Sequence, residues 1–411
     1  NPIAMWLYRL IILMSLQLGN QVALAAGYDE LTLYLDADQS GAKASGQAIR
    51  QGVELALQEV NHQVHGIPVR LVIKDHRGNS RRSLAHLKQF LTDDQAIAVV
   101  AGMHSPPLLA HRDFINQQQL PVLNPWAAAG PITRGDGERW IFRLSVDDSR
   151  AGGVIARSAL AEGFKHPFLL LEDTGWGRSN NRTMTSALSE QAAAVAGVGW
   201  FHWGLSEDVA RIQLRDIHRS GADVIFLVAN AQEGKSISKA LLTLPESERL
   251  PIRSHWGITG GDFAESLGPE RLGALDLAFI QTSFSFFNPG AGLGEQVLQA
   301  AIRRFDGINS ARDIKAPVGL VHGYDITRLF LAAMAQVELS GDIRQDRRSL
   351  RQALYQLEGP VSGLIKTYHQ PFSETGPDGH EALSDSDYRM GRFNRQGDIL
   401  LLPDRKPSSG H

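Results

Sequence analysis

Cysteine is absent from all 411 residues, which excludes a disulfide framework, a cysteine nucleophile, cysteine-ligated zinc, an iron–sulfur cluster and lipidation through sulfur. The fold must rest on packing alone. Charge of one sign is equally scarce: 41 Lys and Arg face 44 Asp and Glu, a formal net charge of -3 with no long run of either sign. That balance argues against a nucleic-acid partner or a polybasic membrane contact, and leaves small or weakly charged partners. Low-complexity segments, heptad runs and short-period repeats are also missing. What remains is a chain with 43% hydrophobic residues, able to bury one or two substantial cores. At ~150 residues per domain it predicts two or three domains.

The one long apolar run lies at the amino end. Met5 to Arg9 carries a single positive charge, Leu10 to Leu18 is apolar except for Ser15 and Gln17, and Ala23-Leu24-Ala25 has the small-x-small pattern of a cleavage site. The run is too short for a helix spanning ~30 Å of hydrocarbon. It predicts a secretory signal peptide over residues 1–25, with a retained membrane anchor as the alternative. No Cys follows it to carry a lipid, so the expected location is the periplasm, with no membrane insertion after cleavage.

Beyond residue 27, short β-branched runs alternate with longer amphipathic ones. Leu31 to Asp36, Val69 to Asp75, Ala96 to Gly102 and Pro121 to Pro125 read as strands. Between them, Ile49, Val53, Ala56, Leu57 and Val60 share one face of a helix. The rhythm restarts after Ser145: Phe168 to Asp173, Val198 to Trp203, Asp223 to Asn230 and Ile252 to Gly257 read as strands separated by helices. Two sets of βα units predict two doubly wound α/β lobes. Late helices without strands of their own predict that the chain returns to the first sheet. Expected lobes are 28–145 plus 283–359 and 146–282 plus 360–402, with a tail at 403–411 and crossovers near Ser145, Gln281 to Ser283 and Gly359 to Gly363.

In such a sheet, ligands sit outside the carboxyl ends of the strands. The loops there contain Met103-His104-Ser105-Pro106, Trp126-Ala127-Ala128, Thr174-Gly175-Trp176-Gly177, Asn230-Ala231-Gln232 and Thr259-Gly260-Gly261. Small residues, hydroxyls and aromatic walls suit a small organic ligand. Sharper motifs fall short. Ala229 to Ser236 approximates a phosphate loop but has Ala229 where Gly is required, and Glu233 beside the phosphates; Gly290 to Gly294 misses the dinucleotide spacing by one residue. The 14 histidines show no metal-ligand spacing, and no nucleophile elbow surrounds Ser105. The expectation is therefore no metal, no cofactor and no catalysis, with a periplasmic hydrolase as the reading from another class.

These loops carry a resemblance. Gly52-Val53-Glu54-Leu55-Ala56, Ala98 to Gly102, Leu120 to Pro125, Ile141-Phe142-Arg143, Trp176-Gly177 and His322-Gly323-Tyr324-Asp325 resemble the type I periplasmic solute-binding proteins of the branched-chain amino acid class, which feed ABC importers. The resemblance implies the type I periplasmic binding protein fold: two Rossmann-like, doubly wound lobes joined by three crossovers and closing on a small-molecule ligand. Membrane permease subunits would be the partners, and a ligand sensor of the same fold is the alternative. In that family a Ser, an Ala–Thr pair, an aromatic and an acidic residue hold the ligand. Ser105 matches the first, Ala127 and Ala128 stand at the pair, Trp176 at the aromatic and Thr259 at the acid. The missing acid disfavours an aliphatic amino acid, because a buried ammonium needs a partner. The expected pocket is Trp126 and Trp176 stacking a flat or apolar portion of the solute, with His104 and Ser105 at its anionic or amide end and Asn230 beside it.

Overall fold

The central parallel strands Leu31–Ala37, Ala96–Ala101 and Val224–Val228 are buried along their whole length, as helices covering both faces of a sheet demand. The strands nearer the sheet edges, Ile67–Asp75 and Gly197–Phe201, are partly exposed. The computed structural model describes residues 27–403, so the expected signal peptide and the end of the tail lie outside the described residues. The first sheet contains β1 (Leu31–Ala37), β2 (Gln63–Val64), β3 (Ile67–Asp75), β4 (Ala96–Ala101), β5 (Val122–Asn124) and β6 (Ile141–Arg143), in the order β2-β3-β1-β4-β5-β6. Only β2 runs antiparallel.

The second sheet contains β7 (Pro167–Glu172), β8 (Gly197–Phe201), β9 (Val224–Val228), β10 (Ile252–Ser254) and β11 (Leu277–Thr282). After a small hairpin of β12 (Val361–Ser362) and β13 (Thr367–Tyr368), β14 (Tyr388–Phe393) and β15 (Ile399–Leu401) extend it antiparallel, giving the order β15-β14-β11-β10-β9-β7-β8. The two sheets therefore make two doubly wound α/β lobes joined by crossing strands.

Helices α1 (Lys43–Glu59), α2 (Ser80–Thr92) and α3 (Ser105–Gln117) follow the first strands. Helices α4 (Asp148–Ala161), α5 (Gly175–Glu190), α6 (Glu207–Arg219), α7 (Ala231–Leu242) and α8 (Phe263–Ala274) belong to the second set, and α9 (Leu293–Arg304), α10 (Pro317–Gln336) and α11 (Ile343–Tyr355) return to the first. On α1 the expected face is buried at Ile49, Val53, Ala56 and Leu57, but Val60 is exposed, because the helix has already ended at Glu59. This face meets α10 at close range. A Cβ on Gly52 would fall 2.2 Å from the Leu320 carbonyl oxygen, so only glycine allows the two backbones to approach.

The chain passes between sheets after Arg143 and again at Thr282 to Ser283, where Ser283 N–H donates to the Asp387 carbonyl. The third passage differs from the expectation at Gly359 to Gly363. Residues 361–382 stay with the first lobe, for two electrostatic reasons. Asp325 of α10 accepts hydrogen bonds from the backbone of Leu364 and Ile365 and from the Tyr368 hydroxyl, which pins the β12–β13 hairpin. Glu381 then forms a buried ion pair with Arg143, 2.8 Å from Nε, and bridges β6 as a further parallel partner. The return to the second sheet falls between Leu383 and Tyr388.

Candidate functional site

Five strand ends converge between the lobes. Met103 to Pro106 follow β4, Trp126 and Ala128 follow β5, Glu172 ends β7 and Trp176 follows it, Asn230 follows β9, and Trp256 and Gly257 follow β10; together they line one cleft. Each is placed by local chemistry. Pro106 and Pro107 occupy the first turn of α3, where a missing N–H costs nothing, and so set His104 at its amino-terminal cap. Thr174 caps α5, accepting from Gly177 N–H and donating to Glu172 at 2.5 Å. Gly177 is forced, since a Cβ there would overlap the Glu172 carbonyl at 1.7 Å.

Aromatic rings fill the cleft from both sides. Trp126 of the first lobe lies 5.8 Å from Trp256 of the second, centroid to centroid, and Trp256 lies 5.0 Å from His322 of α10. Trp176 packs edge-on against His255 at 4.9 Å. The remaining free volume is about 10 Å³, the room of one water molecule. A solute of amino-acid size enters only if the lobes part or the rings turn. Both Trp126 and Trp176 are buried, and the indole N–H of each has no hydrogen-bond acceptor. A buried unpaired donor costs about 1–3 kcal/mol, so two such donors on one cleft are poised for an acceptor brought from outside.

Of the other expected residues, Ser105 accepts from Ala129 N–H at 3.2 Å and keeps its own hydroxyl proton for a further partner. Asn230 donates to Glu172 at 3.2 Å. Ala128 lines the cleft, and its carbonyl accepts from Asp148 N–H across the first passage. Ala127 is buried outside the cleft lining, where its carbonyl serves Asn124 and Arg143. Thr259 also lies outside: its hydroxyl donates to the Trp256 carbonyl, and it borders a separate cavity of about 620 Å³ beside the second passage, walled by Phe284, Phe286, Phe287, Val318 and Val321.

Two features alter the expected electrostatics. His104 is already engaged, its Nε2 lying 3.1 Å from Asp38. Burial would raise the Asp38 carboxyl, but the hydrogen bond and charge of His104 and the N–H groups of Gly41 and Ser40 hold it well below the usual range. An anion placed on His104 would thus meet Asp38 as well. The second is Glu172, 1% exposed, which supplies the cleft with the carboxyl that the sequence reading found missing at Thr259. Burial pushes it up to about 7, against hydrogen bonds from Thr174 and Trp203 and the charge of His104, while Glu233 adds to the rise.

Glu172, Trp203 and Trp256 escaped the sequence reading because each falls inside a run assigned to a strand. The signal available was position, at or one residue before the carboxyl end of the assigned run. Among the described residues, no group of three or more His, Asp or Glu is arranged to hold a metal, and no helix is long and apolar enough to cross a membrane.

The sequence pattern of the periplasmic binding protein family matches residues 34–397. No curated protein matches. Among solved structures, a type 1 periplasmic binding protein from Bordetella pertussis Tohama I superposes with a TM-score of 0.75 at 16% identity, covering 92% of this chain and 100% of that one. A solute-binding protein of an ABC transporter from R. palustris, in complex with benzoate, gives 0.72 at 15% identity, covering 91% and 95%. A branched-chain amino acid transporter substrate-binding protein from Streptococcus pneumoniae, in complex with isoleucine, gives 0.71 at 17% identity, covering 91% and 100%. At such identities the likeness is one of fold.

Proposed function

The chain belongs to the periplasmic binding protein family, and from that premise we propose that it is the extracytoplasmic receptor of an ABC importer, capturing a small organic solute between its lobes. Closure holds the solute and presents the closed form to membrane permease subunits. Only a ligand that contacts both lobes favours the closed state over the open one. One observation carries the choice of the cleft: the Trp126 and Trp176 indoles, one from each lobe, line it with N–H donors that no protein group satisfies.

The same observation supports a ligand with an apolar or flat body and a carboxylate or carbonyl end. Ser105 adds a third donor. His104, Ala128 and Asn230 complete the contact surface. Two similar solved structures carry isoleucine and benzoate, both carboxylates with an apolar body, and a third carries 3,4-dihydroxybenzoic acid.

A thermal-shift screen of free amino acids, short amides and aromatic carboxylates tests the reading. A binder at 100 times its Kd should stabilise the fold by ~2.7 kcal/mol. Absence of any shift across the three classes contradicts it. Loss of uptake on deletion separates import from sensing, in which gene expression changes while uptake is normal.

A further inference from the structure

Resting on the receptor reading, we propose that the solute carries a cationic group that binds against Glu172, and that its capture expels the proton of that carboxyl, so that affinity rises with pH. Glu172 borders the cleft at the carboxyl end of β7, almost wholly buried. Its oxygens meet three neutral donors, Thr174 at 2.5 Å, Trp203 at 3.2 Å and Asn230 at 3.2 Å, and no cation lies in ion-pair contact with it among the described residues. A buried carboxylate without a cation is costly, and the group responds by holding its proton. A solute ammonium removes that cost at the moment of capture.

The charged groups around Glu172 reinforce this direction. From the first lobe His104 faces it, but the charge of His104 is shared with Asp38. From α7 Glu233 adds negative potential. Next along the chain, Asp173 is taken up by Arg178 and His202 at the surface. The cleft is thus short of positive charge, and an anionic end alone would meet Glu172, Glu233 and Asp38 with only His104 in its favour. A zwitterion places its carboxylate at the two indoles and Ser105, and its ammonium at Glu172.

Linkage sets the size of the effect. With Glu172 at about 7 in the free protein and ionised in the complex, affinity should rise about tenfold from pH 6 to pH 8, with roughly half a proton released per solute at pH 7. The experiment uses two matched sets: leucine, isopentylamine and 4-methylpentanoate, and phenylalanine, 2-phenylethylamine and 3-phenylpropanoate. Titration calorimetry at pH 6 and 8, in buffers of different ionisation enthalpy, reads both affinity and proton release. The expected result is binding by a member that carries the amine, with the tenfold pH ratio in the native protein and a ratio near one in Glu172→Gln. It is the loss of the ratio in Glu172→Gln that assigns the proton to this carboxyl. Binding by the carboxylates alone, or an unchanged ratio in Glu172→Gln, overturns the inference and leaves the receptor standing. No binding by any of the six overturns the inference, while the receptor reading falls only if the wider screen of amides and aromatic carboxylates is also silent.

Discussion

The His104 imidazole of the first lobe lies 5.2 Å, centroid to centroid, from the Trp203 indole of the second, and that indole donates from Nε1 to Glu172 at 3.2 Å. Trp203 thus ties both walls of the cleft at its mouth, where its ring also comes within 3.3 Å of the Cβ position of Gly78. Aromatic pairs of this kind are worth about 0.5–1.5 kcal/mol. Trp203→Ala should therefore weaken capture of a screened solute by up to about tenfold. Native affinity in that variant, measured by calorimetry, would show that the contact does not hold the closed form.

The two unpaired indoles make a sharper case. Trp126→Phe or Trp176→Phe keeps an aromatic wall and deletes one unsatisfied donor. The unliganded protein should change in stability by less than about 1.5 kcal/mol, as a conservative core swap does. Solute affinity should fall about tenfold or more, since a hydrogen bond to a charged acceptor is worth about 1.5–3 kcal/mol. Thermal melts with and without solute separate the two effects, and equal loss in both would make the indoles structural.

Arg143 holds the cleft loop from behind. It is fully buried, pairs with Glu381 at 2.8 Å, lies 3.4 Å from Asp147, and donates to the carbonyls of Ala127 and Ala129. Removing one partner of such a pair leaves an uncompensated buried charge, at a cost of about 3–5 kcal/mol. Glu381→Ala should show that loss in denaturant unfolding; a loss below about 1 kcal/mol would mean that Asp147 alone suffices.

The pH dependence of stability has a definite shape. Burial pushes His322 and His380 down to about 3, so between pH 3 and 6.5 the unfolded chain binds more protons and stability rises with pH. Burial raises Asp325 to about 6 and Glu172 to about 7, so the folded chain keeps protons that the unfolded one has lost, and stability falls as pH rises toward those values. The two effects offset in the overlap. Melting temperature should climb from pH 3 to about 4.5 and stay nearly level from there to pH 8, and Glu172→Gln should extend the climb to about pH 7. A climb that continues through pH 8 would contradict the placement of both carboxyls.

Periodicity made the two-lobed α/β fold legible, because βα alternation with fully apolar strands has few other solutions. The same spacing led to His104, Ser105, Trp126, Ala128, Trp176 and Asn230, which meet in one cleft. What was not legible depends on contacts distant in sequence. Ala127 and Thr259 sit in the expected loops, yet Arg143 and Trp256 claim their polar groups. The third passage shifted because Asp325, well over thirty residues upstream, captures the backbone at Leu364. Glu172 and Trp203 were hidden by strand assignment, and only their meeting in space gives the cleft a carboxyl without a cation.

The most direct measurement is a thermal-shift comparison, with one stabilising solute, of the native protein, Trp176→Ala and Thr259→Ala. Capture in the cleft predicts that the shift is lost in Trp176→Ala and retained in Thr259→Ala, whose side chain faces the cavity beside the second passage. A shift retained in Trp176→Ala and lost in Thr259→Ala would place the solute in that cavity and contradict the account.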